Sequence, residues 1–422
     1  MENNENICKS PLDSFSKGLK LRKRKDIAKA VCNWIFGLAS LAMLVWIVVY
    51  IVMGGSSYLS WDFITGDYHS KTITYKSDSS FSLHDYGTYT DTYAKEGSAF
   101  SSKYGVSFET GKDLKQNDVV YLVHIENGSP FLKLIDLDGN AFDNGEKTYV
   151  ESLIVKKEDG SYKSVLSSAS SEDFASALDS SISIYDLTLS TLGGGIRGSL
   201  LVTLSLIGLT LLFLLPLGIG AAVYLSLYAK GGKTTALIRN LIDVTSGIPS
   251  IIFGLAGALI FIPFASGITG GNGGNLISGA LTLTVMLLPV VVKTMEEAIR
   301  AVPKSYMDAS LALGASKTET VFKIVIPNAM SGILTSSLLS IGRIVGESAA
   351  LVFAMGATIG EGVSLTSGYS TLAVHIWNIL SGEKPAYGEA CAIAIIIMIT
   401  VLILNISIKL ITYRMEKKKG RK

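Results

Sequence analysis

The chain has 422 residues, 48% hydrophobic and 17% charged, rich in apolar residues and poor in charge for a soluble protein of this size, which points to a membrane. Its net charge of +2 averages unlike parts: eight Lys or Arg lie in the first thirty residues and seven in the last fourteen, while Asp and Glu outnumber Lys and Arg from Gly54 to Ser199. Basic ends around an acidic middle fit cytoplasmic termini and an outside middle under the positive-inside rule, and because each basic run flanks an apolar span no nucleic-acid partner is expected.

In chain order, residues 1–30 read as a basic cytoplasmic N-terminus. Residues 31–53 are an apolar run that reaches about 34 Å as a helix, enough for a first transmembrane span. The run is too long for the core of a signal peptide and no small-x-small cleavage site follows it.

Residues 54–198 change character, rich in Ser, Thr, Tyr, Asp and Lys. The stretches Lys71–Tyr75, Asp118–Ile125, Phe131–Ile135 and Tyr149–Val155 read as strands between Gly, Asn and Asp turns, predicting a β-rich extracytoplasmic domain with a Ser-rich tether from Ser164 to Ser171. Cys8, Cys32 and Cys391 all lie outside it, so it folds without disulfides, and no metal-ligand spacing occurs. Asp136-Leu-Asp138-Gly-Asn140 starts like a calcium loop but has Ala141 and Lys147 where Gly and Glu are needed. Asn127-Gly-Ser129 has the glycosylation spacing, and it is also an ordinary turn. His69, His84 and His124 stand among serines without a nucleophile elbow or other triad context.

Five further apolar spans follow, at 199–228, 237–265, 276–295, 330–356 and 389–411. With the first they make an α-helical polytopic membrane protein of six transmembrane helices, the β-rich domain inserted between helices 1 and 2. Starting inside, the parity places 229–236, the loop 296–327 and the tail 413–422 in the cytoplasm, and their Lys and Arg agree. Outside it places 54–198, the turn Gly270–Gly274 and residues 360–388, where His375 and Trp377 sit either in a loop folding partway back into the membrane or in a simple interfacial helix. Gly231-Gly-Lys-Thr234 has only the end of a Walker A sequence, so ATP hydrolysis by this chain is not expected; neither is any cofactor or metal.

The loop 296–327 carries more design than a connector needs. Pro303 suits the first position of a helix, on which Val302, Tyr306, Ala309 and Leu313 recur at helical spacing. Gly314 supplies the positive φ that ends it, and Ser316 with Glu319 has capping-box spacing, so a second helix starts at Lys317 and runs through Val325 until Pro327 ends or kinks it.

Arg343 and Glu347 stand four apart in the fifth span, sharing one helical face a turn apart. Charges at such depth face a protein interior or an aqueous path, so the two either lock helix packing as an ion pair or serve an anion pathway, Arg343 supplying positive potential and Glu347 positioning it. Gly342, Gly346, Ser348, Ala349 and Ala350 flank them and suit close helix approach. Pro249 and Ser250 break the third span and either line the pathway through freed carbonyls or only kink it. Arg239 and Asp243, also four apart, read as a structural pair, with Lys293 ending the fourth span.

The spacing Asp308-Ala309-Ser310, Gly314, Ile324, Ile326-Pro327 resembles the EAA loop of ABC importer permeases, with Asp for Glu, Ser for the second Ala and Ile for Leu. Pro216–Tyr224, Gly247–Gly254, Leu288-Pro289 and Gly342–Ser348 resemble the phosphate importer's permeases, and Leu372–Trp377 favours the PstA type over the PstC type. The resemblance covers roughly residues 193–412 and implies the MetI-like fold for the core. It implies a subunit moving phosphate inward, with the elbow loop seated in a separate ATPase, a PstC-type second permease completing the pathway and an extracytoplasmic phosphate-binding protein delivering the anion. It assigns Arg343 and Glu347 to transport. A PstC-type sister, another oxyanion, or a membrane-anchored receptor or enzyme acting through residues 54–198 are the other readings.

Overall fold

The computed structural model describes residues 11–77, 88–143, 148–382 and 385–418. Among them six helices are long and apolar enough to cross a membrane: Lys29–Tyr58, Arg197–Tyr228, Ser250–Thr269, Leu276–Arg300, Lys317–Gly346 and Tyr387–Arg414. The first belongs to α1 (Pro11–Gly55), so the basic segment from residue 11 onward is the start of the helix rather than a separate arm. α1 lies outside the bundle and touches it at one end only. There small residues permit contact with α13 (Tyr387–Lys418): a Cβ on Gly55 would lie 2.5 Å from the Ala392 nitrogen, and Gly388 receives the Tyr58 ring.

After the short α2 (Trp61–Thr65), eight strands form one antiparallel sheet: β1 (Thr72–Ser77), β2 (Ser98–Ser101), β3 (Val106–Lys112), β4 (Asp118–Ile125), β5 (Leu134–Asp136), β6 (Thr148–Lys157), β7 (Tyr162–Leu166) and β8 (Ser181–Thr191). Their order is β2-β3-β4-β6-β8-β1-β5, with β7 on β6. α3 (Ser171–Asp179) packs Phe174 and Leu178 against one face, over Phe108, Leu153 and Leu187. The predicted strands are present, although Phe131 belongs to a 3-10 turn before β5. The predicted serine tether is not: Ser164 lies in β7, Val165 beside it is buried, and Ser170 and Asp173 form a capping box that starts α3. Composition misled there because serine serves strand, cap and linker alike.

The would-be calcium loop closes on itself: the Asp136 carboxylate accepts from the backbone N–H of Asp138 and Asn140 and from Asn140 Nδ2. The Asn140 side chain, then its backbone N–H, hold the Asp136 carboxyl below the usual range, and hydroxyls and N–H groups of Ser161 and Ser170 do the same for Asp159 and Asp173. Carboxyls depressed in the folded state stabilise above their unfolded value of 3.8 and lose that contribution as pH falls through their folded values. Urea titrations of the full chain in micelles, followed by tyrosine circular dichroism, are therefore expected to hold steady at neutral pH and weaken below about pH 4, less so in Asp136→Asn.

The bundle comprises α4 (Arg197–Val223, closed by a π turn Tyr224–Tyr228), α5 (Lys233–Ser246), α6 (Ser250–Thr269), α7 (Leu276–Arg300), α8 (Lys304–Ala312), α9 (Lys317–Thr320), α10 (Ile326–Gly346), α11 (Ala349–Ala354), α12 (Leu372–Ser381) and α13. Leu206 and Leu214 of α4, Leu283 and Met295 of α7, Ile333 and Ile344 of α10 and Leu351 of α11 centre its core. The third predicted span is corrected: Gly247 and Pro249 split it, so α5 buries no residue and only α6 is of crossing length. The fifth is likewise corrected, since α10 stops at Gly346 and α11 is separate.

Sheet and bundle meet where Phe63, Ile196, Leu372, Ile379 and Ile393 form a common cluster, with Leu114 of the β3–β4 hairpin packed against it. Arg197, opening α4, pairs with Asp67. Buried His375 of α12 meets Ser199 Oγ through Nδ1 at 2.9 Å and the Tyr68 ring edge-on at 5.0 Å.

Candidate functional site

The elbow takes the shape its residues prescribe. α8 ends at Gly314 with φ +88°, and the capping box of Ser316 and Glu319 starts α9 at Lys317. Ser310 Oγ and Thr320 Oγ1 meet at 2.9 Å and brace the two helices across the turn. Thr320, Val321 and Val325 are buried and anchor the assembly, while α8 has no fully buried residue. The face of Tyr306, Ala309 and Leu313 points outward with Asp308, and Leu313 is 89% exposed, Phe322 65%. Pro327 does not end the second helix. A π turn over Val321–Val325 precedes it, Asn328 Nδ2 satisfies the Ile324 carbonyl at 2.6 Å, and the chain runs on through half-buried Ile326 and Pro327 into α10.

The pair in the fifth span is rearranged. Arg343 lies exposed near the end of α10, but Glu347 follows the helix, in extended backbone at φ −82° and ψ 120°. They therefore do not share a helical face: Glu347 Oε1 accepts from Ala350 N at 3.1 Å and starts α11. Gly346 just before Glu347 marked the break in the sequence. Pro249 is exposed and Ser250 half-buried at the start of α6, and one turn on a Cβ at Gly254 would meet the Ala350 backbone at 2.7 Å. The structure thus brings the start of α6 to the Glu347–Ala350 break, and leaves Gly342 and Gly346 open beside Arg343.

Arg239 and Asp243 are not paired with each other. Arg239 reaches Glu296 at 2.9 Å and Asp243 reaches Lys293 at 2.9 Å, two bridges joining α5 to α7, and Arg300 adds a 2.7 Å bridge to the same Glu296. Glu296, 8% exposed, is the hub that sequence reading missed, although Glu296-Glu297 at the end of an apolar span was a signal. Glu296→Gln is expected to lower chain stability by about 2 kcal/mol, more than Asp243→Asn, because it uncouples two guanidinium groups at a buried carboxylate. Thermal unfolding in micelles measures both. His124 joins Thr92 and Glu126 in a loop clasp, with Thr92 Oγ1 at 2.6 Å from Glu126; His69 is exposed, and His84 lies outside the described residues. Cys32 and Cys391 are free thiols.

Six membrane-length helices carrying an exposed, internally braced elbow define a polytopic membrane protein. The profile of the binding-protein-dependent transport system inner membrane component family matches residues 214–421. The chain is 38% identical over 241 residues to the probable ABC transporter permease protein YqgI of Bacillus subtilis, covering 54% of this chain and 80% of the relative. It is 32% identical over 222 residues to the phosphate transport system permease protein PstA 1 of Mycobacterium tuberculosis, covering 52% and 71%. Among solved structures, one of the MetNI methionine ABC transporter in inward-facing conformations aligns with a TM-score of 0.41 at 21% identity, over 52% of this chain and 95% of that one. The chain belongs to the binding-protein-dependent transport system inner membrane component family, as a PstA-type permease subunit of an ABC importer. The sheet domain lies outside the matched residues.

Proposed function

We propose that this subunit carries inorganic phosphate inward across the cytoplasmic membrane, with both termini and the elbow in the cytoplasm and the sheet domain outside. The elbow carries this reading: α8 is braced yet has no fully buried residue, with only Met307 leaning half-buried on the core, as a surface that seats in a separate ATPase does. Asp308, Ala309, Ser310, Gly314, Ile324, Ile326 and Pro327 form and anchor that coupling surface. Relatives described as phosphate permeases supply the substrate. A PstC-type second permease closes the pathway over Arg343, Glu347, Pro249 and Ser250. An extracytoplasmic phosphate-binding protein delivers the anion, and the sheet domain, on that face, is its contact.

The test is ³²P-phosphate uptake in cells stripped of their own high-affinity system and supplied with this chain and its partner subunits. ATP-dependent uptake that excess sulfate and molybdate do not compete away supports the proposal. Competition by either anion reassigns the substrate. No uptake at normal membrane abundance rejects import of phosphate and turns attention to residues 54–198 as a surface receptor or enzyme.

A further inference from the structure

Lys317 is out of place by local rules. It opens α9, where the helix dipole already presents positive charge, so a cation there is locally unfavourable. Its ammonium instead crosses to the end of α4, where Nζ donates to the Leu227 carbonyl at 2.7 Å and lies 4.4 Å from the centroid of the Tyr228 ring. Leu227 belongs to the π turn that closes α4, in which Tyr224 O is taken by Ala229 N and the later carbonyls lack helical donors. Arg239 fills the same need two residues earlier, donating through Nη2 to Leu225 O at 3.1 Å. Two cations thus cap the negative end of α4, one from α5 and one from the elbow.

The cap from the elbow is the one able to transmit motion. A cleft of about 500 Å³, lined by Ser226, Leu227, Met307 and Val325 among others, separates the end of α4 from α8, so dense packing does not weld them. The opposite end of α4 is fixed to the sheet-bearing side by Arg197–Asp67 and Ser199–His375. We propose that Lys317 is a positioning residue for coupling: it ties the elbow to the C-terminus of α4, so that displacement of the elbow is carried along α4 to the end that bears the sheet domain. This rests on the reading of the elbow as the ATPase-docking surface.

Two measurements on the complete importer decide it. In hydrogen exchange, Lys317→Met is expected to speed exchange of residues 224–232 about tenfold, the loss of one charge-assisted hydrogen bond, whereas Lys317→Arg keeps protection and Tyr228→Leu falls between. In proteoliposomes, Lys317→Met is expected to lower phosphate taken up per ATP hydrolysed about tenfold while basal ATP hydrolysis and ATPase co-purification stay at native levels, and Lys317→Arg to restore most of the ratio. Unchanged exchange in Lys317→Met overturns the tie itself. Faster exchange with an unchanged uptake ratio overturns its role in coupling, as does parallel loss of ATPase binding, which makes Lys317 a docking residue instead. Failure of the native importer to take up phosphate rejects the transport reading and the coupling role with it, and the exchange arm separates that from an absent tie.

Discussion

Arg343→Ala is expected to reduce phosphate uptake at least about a hundredfold while the chain reaches the membrane at native abundance, because a guanidinium that pairs with a dianion and is then removed forfeits several kcal/mol of charge-assisted bonding. The expectation rests on where the charge sits. Arg343 is exposed on a membrane-length helix, beside glycines whose faces are open, and Glu347, the carboxylate expected to neutralise it, is committed to Ala350 N. In the last turn of α10 the guanidinium also meets the negative end of the helix dipole, so the uptake measurement is what separates a pathway role from a purely structural one. Arg343→Lys keeps the charge but loses the planar fork and should retain part of the uptake with a raised KM. Native uptake in Arg343→Ala would remove Arg343 from the pathway. Glu347→Gln is the companion measurement: if Glu347 only starts α11, the amide oxygen still accepts from Ala350 N and uptake changes little.

The second large effect is at Gly314. Its φ of +88° belongs to the left-handed region, and a Cβ there meets nothing within 4 Å, so a substitution is penalised by the backbone alone. For a β-branched residue that penalty exceeds the roughly 1–2 kcal/mol paid by an ordinary side chain in left-handed backbone. The elbow can relieve the strain only by opening, which pulls Ser316 from its cap and separates Ser310 from Thr320. Gly314→Val is therefore expected to abolish uptake and sharply reduce co-purification of the ATPase, with insertion unaffected. Gly314→Asn, which tolerates this conformation, should keep a substantial part of both. Equal co-purification in the valine variant and the native chain would show that the elbow's angle does not matter for docking.

The elbow was legible because its signals are local: a positive-φ glycine, a capping box and a proline act within a few residues of one another. Hydropathy found six crossing helices for a similar reason, since length and apolarity suffice. What escaped depends on partners distant in sequence or on breaks inside apolar runs. Gly247-Ile248-Pro249 sits within continuous hydrophobicity, so α5 and α6 merged into one span. Arg239 and Asp243 have helical spacing that suggests each other, and only the packing of α5 on α7 shows that Glu296 and Lys293 claim them. In the sheet domain the strand Ser181–Thr191 was not read from the sequence, and its long pairing with both β6 and β1 is a matter of topology. The meeting of His375 with Ser199, 176 residues apart in sequence, left no trace that spacing could reveal.

The sheet domain leaves and rejoins the rest of the chain through a single stem. β1 and β8, its first and last strands, lie side by side with Thr72 opposite Ser190, and below them Gly194 and Gly195 donate to Tyr68 and Asp67 while Ile196 donates to Phe63. Such a stem makes the domain a cassette: its two ends enter and exit at one point, its contacts with the helices gather beside that point around Leu114, Tyr68 and Asp67, and the family profile begins only beyond it, at residue 214. The whole module can thus be cut or exchanged at one seam, with a graft joining Phe63 to Ile196, whose backbone atoms already meet there, through a short turn.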